Sequence, residues 1–155
     1  MVVTLLLDAG ADVAAKNAVG KTSLDIAEEN GCAGVARVLR DAEAAQDLCS
    51  AAKQGDKEEV QRVIAGGADV AAKDRDGRTA LHHAAQNDHE GVVRTLLDAG
   101  ADVAAEASDG RTALHDAAAE GQEGVVRMLL DAGSDVATKD SDESSALHFA
   151  ADAGR

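Results

Sequence analysis

Residues 76–82 read Asp-Gly-Arg-Thr-Ala-Leu-His, and the same seven residues return at 109–115, 33 positions later. A weaker copy, Ser-Ala-Leu-His, occupies residues 145–148 at the same spacing. A second motif, Gly-Ala-Asp-Val, begins at Gly67 and recurs at Gly100, again 33 residues later. Because a fixed period of about 20–50 residues is typical of stacked repeat architectures, this period predicts a solenoid.

Each period predicts two short helices joined by a turn. Residues 80–86 form the first, and Thr79 is placed to cap it. Residues 91–97 form the second, because their apolar side chains recur at a spacing that places them on one helix face. Gly100 suits a left-handed cap after this helix, so residues 98–110 are expected to be a connecting loop. We therefore predict an all-α fold of helix-turn-helix units.

The period and the repeated motif resemble the ankyrin repeat, whose period is 33 residues and whose signature is Thr-Pro-Leu-His-x-Ala. Ala80, Ala113, Ala146 and Ser23 stand at the Pro position, which removes a favoured first-turn residue without breaking the helix. The resemblance extends over the whole chain and is similar to designed or consensus-like ankyrin arrays. It implies an ankyrin solenoid with a non-catalytic role in protein binding.

The order of the repeats is unusual. Residues 44–75 resemble an N-terminal capping repeat, whereas residues 19–41 resemble a C-terminal capping repeat with a charged second helix. Leu24 and Leu48 share one slot of the repeat but are only 24 residues apart, nine fewer than the period. The solenoid is therefore expected to be interrupted near residue 43. Residues 33–54 contain no Pro and one Gly, so one continuous helix across this point is an open alternative.

The two remaining segments are each half a repeat. Residues 142–155 supply a first helix in 14 residues, and residues 1–18 supply a second helix and loop in 18, which sum to 32 against a period of 33. We interpret residues 1–43 as the second half of a repeat plus a C-cap-like repeat. Residues 44–155 are then an N-cap-like repeat, two full repeats and the first half of a repeat. The array is circularly permuted or split, natural or engineered, and truncation of a larger tandem protein is the alternative.

The split repeat predicts self-association. The ends of a five-repeat array lie about 40 Å apart, because stacked helices are about 8–10 Å apart. A linker of residues 43–46 reaches only about 14 Å, so the halves of one chain cannot meet. We predict that residues 1–43 of one molecule dock on residues 142–155 of a second, with a swapped dimer favoured over a ring or a filament. The side chains predicted to carry this contact are Val2, Val3, Leu5, Leu6, Leu7, Leu147 and Phe149.

The ankyrin resemblance also implies an alternative function, recognition of a protein ligand by the concave face of loop tips and first helices. Only Arg75, Arg78 and Arg111 there are of a type common in binding hot spots. Because residues 77–79 and 110–112 are alike, the pattern favours a scaffold over a selected binder. The predicted concave positions are Lys73, Arg75, Asp76, Arg78, Gln86, Asn87, Glu106, Ser108, Asp109, Arg111, Ala119, Glu120, Lys139, Ser141, Asp142 and Ser144.

Composition argues against several classes of partner. A net charge of -14 disfavours nucleic acid and anionic membrane surfaces. No apolar run approaches the ~20 residues of a membrane span, and no basic segment precedes the apolar start. Cys32 and Cys49 are too few for a disulfide framework, so we expect a reducing compartment, cytoplasmic or recombinant, and no targeting signal.

The sequence motifs predict no enzyme, no metal and no cofactor. His82, His115 and His148 recur with the period, and the ankyrin resemblance implies that they make structural hydrogen bonds to neighbouring backbone. His89-Glu90 has no second His at Val93, so the helical zinc-protease motif fails. A calcium loop around Asp74 and Asp76 lacks its first ligand and its last Glu. No nucleotide-binding glycine motif occurs in the sequence.

Overall fold

A computed structural model describes residues 2–155, which fold as the predicted all-α solenoid. Two short helices alternate with loops along most of the chain, and predicted and observed helix bounds agree closely in the complete repeats. The helices are α1 (Val2–Asp8), α2 (Ser23–Glu29), α3 (Ala33–Gln54), α4 (Lys57–Ala65), α5 (Ala80–Gln86), α6 (Glu90–Asp98), α7 (Ala113–Glu120), α8 (Glu123–Asp131) and α9 (Ala146–Asp152).

The repeated Thr and His residues start the first helix of each repeat. The backbone N–H of Thr79 donates to Nδ1 of His82 over 3.1 Å, which satisfies a group that the helix itself cannot pair. Thr112 and His115 repeat this contact at 3.1 Å. In α2 the His slot holds Asp25, whose Oδ2 accepts from the N–H of Thr22 over 2.8 Å. The motif is therefore a local device that fixes where these helices begin.

The helices stack in two layers. The first helices α5, α7 and α9 pack successively against one another, and α5 also packs on α3. The second helices α4, α6 and α8 form the other layer. First-helix alanines such as Ala84 and Ala117 are fully buried, and their small side chains let neighbouring helices approach closely. Leucines and valines fill the space between the layers, with Leu81, Leu96 and Leu129 among the largest fully buried side chains.

Helix α3 is 22 residues long and runs through the point where the repeat is interrupted. Its first part contributes Ala36 and Leu39 to a small core cluster, which Val3 and Leu7 of α1 also contact. Its second part contributes Leu48 and Ala52 to the main core. The connecting loop of an ordinary repeat is absent here. The segment 40–46 is rich in alanine and contains neither Gly nor Pro, which permits a continuous helix in place of the loop, and both ends of this helix pack into a core cluster.

Candidate interaction surfaces

Helix α1 carries the sequence of a complete second helix but lacks its packing. Residues 2–7 (Val-Val-Thr-Leu-Leu-Leu) align with residues 92–97 (Val-Val-Arg-Thr-Leu-Leu) of α6. Leu96 is fully buried, whereas Leu6 in the same slot is 56% exposed. Val2 and Leu5 are also largely exposed. The apolar face of α1 is therefore a core surface without a first helix to cover it within residues 2–155.

Helix α9 has the complementary arrangement: it is a first helix whose apolar side chain Leu147 is not covered by a second helix in the described part of the chain. Leu147 occupies the slot of Leu81 and Leu114, which are 1% and 3% exposed, yet Leu147 is 76% exposed. Val136, on the loop before α9, and Leu130 of α8 are exposed as well. Helix α9 packs on α7, but within residues 2–155 no second helix follows it. An apolar surface that the complete repeats bury is thus open beside α9.

Phe149 differs from the sequence-based expectation that it is exposed together with Leu147. It is half-buried, with its ring centroid 5.8 Å from that of His115 in an edge-to-face arrangement. The guanidinium carbon of Arg111 lies 3.9 Å from the ring centroid. The ring is covered because it lies over the preceding repeat, whereas Leu147 points to the side where the next helix is missing.

A groove of about 340 Å³ lies between α1, α2 and α3. Most of its wall is apolar, and it continues the exposed face of α1 into the small core cluster. Because α1 is a second helix and α2 is a first helix, the groove lies where a complete repeat would hold its own first helix. The side chains that form most of its apolar wall are Val3, Leu6, Leu7, Ile26, Val35 and Leu39.

A polar cleft of about 320 Å³ lies on the loop side of the array. It brings together six of the predicted concave positions, so sequence and structure place these residues on one surface. Its floor is Asp116, whose side chain is almost fully buried and lies 2.5 Å from Nη2 of Arg78. Arg111 approaches the same carboxylate at 3.8 Å. The predicted positions in the cleft are Arg75, Asp76, Arg78, Ser108, Asp109 and Arg111.

The other predicted concave residues lie around this cleft without joining it. Lys73 Nζ donates to the backbone carbonyl of Glu106 over 2.8 Å and so links two successive loops. Lys139 pairs with Glu143 on the following loop. Gln86, Asn87, Ala119 and Glu120 lie at the ends of α5 and α7, and Ser141, Asp142 and Ser144 lie on the loop before α9.

The repeat position directly after the motif His was not among the predicted concave positions. It holds His83, Asp116 and Phe149 in successive repeats, while the residues around it hardly change. Nε2 of His83 lies 2.7 Å from Oδ2 of Asp74. Burial would raise the pKa of Asp74, but hydrogen bonds from His83 and two backbone N–H groups hold it below its ordinary value. The sequence signal that could have singled out these three residues is that this one position varies between repeats, whereas the rest of the helix hardly changes.

His82 and His115 make the structural hydrogen bonds that the resemblance implied, whereas His148 is exposed and, within the described residues, has only its local contact with Ser145. Nε2 of His82 lies 3.0 Å from the backbone carbonyl of Arg111 in the next repeat, and the side chain is buried. His115 contacts the carbonyl of Thr138 at 3.2 Å. Burial lowers the pKa of His82 below its ordinary value. Across residues 2–155, no group of three or more His, Cys, Asp or Glu side chains is arranged to hold a metal ion.

Comparison with known proteins agrees with this architecture. A family model described as ankyrin repeats, in three copies, matches residues 48–140. The chain belongs to the ankyrin repeat family. Protein VAPYRIN of Medicago truncatula is 38% identical over 66 residues, which cover 43% of this chain and 12% of that protein. Ankyrin repeats are protein-interaction modules and generally non-catalytic, so this ankyrin chain is a protein-interaction module.

In the part of the chain that the structure describes, from residue 2 onward, none of the helices is both long enough and apolar enough to span a bilayer.

Proposed function

We propose that this ankyrin protein is a non-catalytic scaffold that binds a second copy of itself by completing its split repeat. In this proposal α9 of one molecule is the first helix of the joint repeat, and α1 of another molecule is its second helix. The observation that carries the proposal is the exposure of Leu147 and Leu6, whose equivalents in the complete repeats are buried.

The free energy for this association comes from apolar burial. Burying one leucine or valine side chain contributes about 1.5–3 kcal/mol, and α1 and α9 together expose several such side chains. Because α1 has nearly the sequence of α6 and α8, it carries the side chains that would fill the space beside α9. The two half-repeats therefore match each other in the same way as the two helices of a complete repeat.

The joint repeat forms between molecules rather than within one. Helix α1 packs on α3, whereas α9 packs on α7, and α5 lies between α3 and α7. The continuous α3 helix holds residues 2–43 as one docking element, and residues 44–155 form the array that receives it. This division corresponds to a circularly permuted five-repeat array. Reciprocal exchange closes a dimer, whereas head-to-tail exchange builds a ring or a filament.

A complementation experiment tests the proposal. The Leu6→Asp variant disables α1 and the Leu147→Asp variant disables α9, so each variant alone should be monomeric by light scattering. In a 1:1 mixture, the intact α9 of the first variant meets the intact α1 of the second, and the mass should double. Val19→Asp, at an exposed loop position, is the matched control and should associate like the wild type. The proposal is wrong if both variants associate alone, or if their mixture stays monomeric.

Recognition of a different protein by the concave face is the second candidate function. The polar cleft and the varied slot at His83, Asp116 and Phe149 favour it, because neighbouring repeats differ there while the rest of the motif is constant. Substituting Arg78 and Arg111 by Lys keeps a cation beside the buried Asp116 but removes both guanidinium groups, so it should impair such recognition and leave self-association unchanged. Binding of a protein ligand that is lost in this double variant would support the second function.

A further inference from the structure

We propose that the apolar groove between α1, α2 and α3 receives helix α9 of a second copy, and that His148 anchors it by donating from Nε2 to a backbone carbonyl of the loop before α2. This inference rests on the proposed self-association and specifies which helix enters which site. Its test is therefore designed to fail separately from the test of self-association.

The position of the groove matches the position of a first helix. In a complete repeat, the first helix α7 contacts its own second helix α8 and the next first helix α9. The groove is bounded by a second helix, α1, and by the first helix of the following repeat, α2. A helix seated there would make both of these contacts. Helix α9 is a first helix that lacks a second helix beside it, so it is the segment of this chain that fits the vacancy.

The apolar side chains agree with this placement. In the complete repeats, Leu81 and Leu114 project from the first helices into the space between the layers and are buried. Leu147 is the equivalent side chain of α9, and it is the most exposed large apolar side chain in the described chain. In the groove, Leu147 would contact the exposed side of Leu6, which is the equivalent of the buried Leu96.

A polar contact fixes the orientation of α9. The N–H of Ser145 donates to Nδ1 of His148 over 3.2 Å, so the neutral ring carries its proton on Nε2. His82 has the same local contact and pairs its Nε2 with the carbonyl of Arg111, directly before the Thr that starts the next repeat. The residue directly before Thr22 is Lys21. By analogy with His82, the acceptor for His148 in the joined array is the carbonyl of Lys21. His115 instead contacts the carbonyl of Thr138, seven residues before Ser145, and the equivalent acceptor is then Ala15, on the same loop.

A native cysteine makes this placement measurable. Cys32 is exposed at the start of α3 and lines the groove, in the slot that His89 and Arg155 occupy in other repeats. A Cβ atom added to Gly55 would lie 2.9 Å from Cγ of His89, and one added to Gly121 would lie 2.7 Å from Cδ of Arg155. The equivalent pair across the joint is Gly154 of one copy and Cys32 of the other. A Gly154→Cys variant should therefore form a disulfide with Cys32 of the second copy.

The experiment is mild oxidation of the Gly154→Cys variant followed by non-reducing electrophoresis. Gly100→Cys is the matched control, because Gly100 also has a positive φ and open space around it, but lies away from the groove. The other native cysteine, Cys49, is buried, so it does not compete. We expect the Gly154→Cys variant to cross-link at least tenfold faster than the control, and to lose this advantage when Cys32→Ser or Leu147→Asp is added.

Two results would overturn the inference. If the Leu6→Asp and Leu147→Asp variants complement each other but Gly154→Cys cross-links no faster than Gly100→Cys, then α9 does not occupy the groove, and α9 and α1 associate through another face of α1. If the protein stays monomeric throughout, the proposed function fails and the inference fails with it. The anchor is tested by His148→Ala, which should raise the dissociation constant about three- to tenfold, the usual effect of losing one hydrogen bond. An unchanged dissociation constant would exclude the anchor.

Discussion

Nη2 of Arg78 lies 2.5 Å from Oδ2 of Asp116, and only 2% of the Asp116 side chain is exposed. This contact joins the loop of one repeat to the first helix of the next, 38 residues away. A carboxylate buried to this degree needs a cationic partner, because burying an unpaired charge is costly. The pair therefore couples neighbouring repeats, and its two members are expected to respond differently to substitution.

Substituting Arg78 by Ala should destabilise the protein by about 3 kcal/mol, because the carboxylate of Asp116 then stays buried and its remaining cationic partner is Arg111, at the longer distance of 3.8 Å. Substituting Asp116 by Asn should cost less, since the guanidinium of Arg78 is partly exposed and can turn towards water. Urea unfolding followed by circular dichroism measures both. Equal losses for the two variants would show that the pair does not act as a buried charge with one exposed partner.

The equivalent leucines of α5 and α9 offer a matched pair of substitutions. Leu81→Ala removes a fully buried side chain and should cost about 2–5 kcal/mol of unfolding free energy. Leu147→Ala should cost less than about 1 kcal/mol when measured in dilute, dissociated protein, because this side chain is largely exposed. Denaturation at two protein concentrations separates stability from association. A large loss for Leu147→Ala at low concentration would mean that α9 is already covered within one molecule.

The buried His82 predicts a loss of stability in mild acid. Its folded-state pKa is lowered by burial, opposed by the carbonyl of Arg111, whereas an unfolded His titrates near pH 6.5. As the pH falls through about 6.5, the unfolded chain takes up a proton before the folded chain does, so the free energy of unfolding decreases. Well above about pH 6.5, His82 is neutral in both the folded and the unfolded chain, so no stability is lost to its protonation.

Urea unfolding at pH 8.0 and at pH 5.5 measures the effect of His82. The wild type should be less stable at the lower pH, and the His82→Asn variant should show a smaller difference between the two, although its stability at pH 8.0 is also lower. The Asp74 carboxyl does not interfere, because its pKa is lowered and it titrates in stronger acid. An identical pH dependence in the variant would contradict the assignment.

The two cysteines should differ sharply in reactivity. Cys32 is exposed, whereas burial raises the pKa of Cys49 to about 12 and so removes the reactive thiolate at neutral pH. Ellman's reagent should therefore modify one thiol per chain quickly in buffer and two in urea. Cys32→Ser should abolish the fast reaction. Rapid modification of two thiols in buffer would show that the core around Cys49 opens readily.

Much of the fold could be predicted because the repeat is regular. The motif at 79–82 fixes the helix start, and the apolar spacing of residues 91–97 fixes the second helix, so the expected bounds nearly coincide with those of α5 and α6. The continuity of α3 remained open, because the absence of Gly and Pro permits a helix without requiring one. Tertiary packing on both sides of residue 43 decides it.

The candidate surfaces were predicted less completely. The exposure of Leu6 and Leu147 could be predicted because each lies in half a repeat. Each therefore lacks the second half of the repeat, which buries its equivalent in a complete repeat. The role of Asp116 did not follow, since its contact with Arg78 crosses between repeats and depends on side-chain direction rather than on the period. Phe149 was misplaced for a related reason, because its neighbour Arg111 belongs to the preceding repeat.

The mass of the wild-type protein in solution tests the central claim most directly. Sedimentation equilibrium over a hundredfold range of concentration should give a mass at least twice the 15.7 kDa of one chain, decreasing towards 15.7 kDa only on strong dilution. A mass of 15.7 kDa at every concentration would contradict the claim, because the exposed faces of α1 and α9 would then have no affinity for each other.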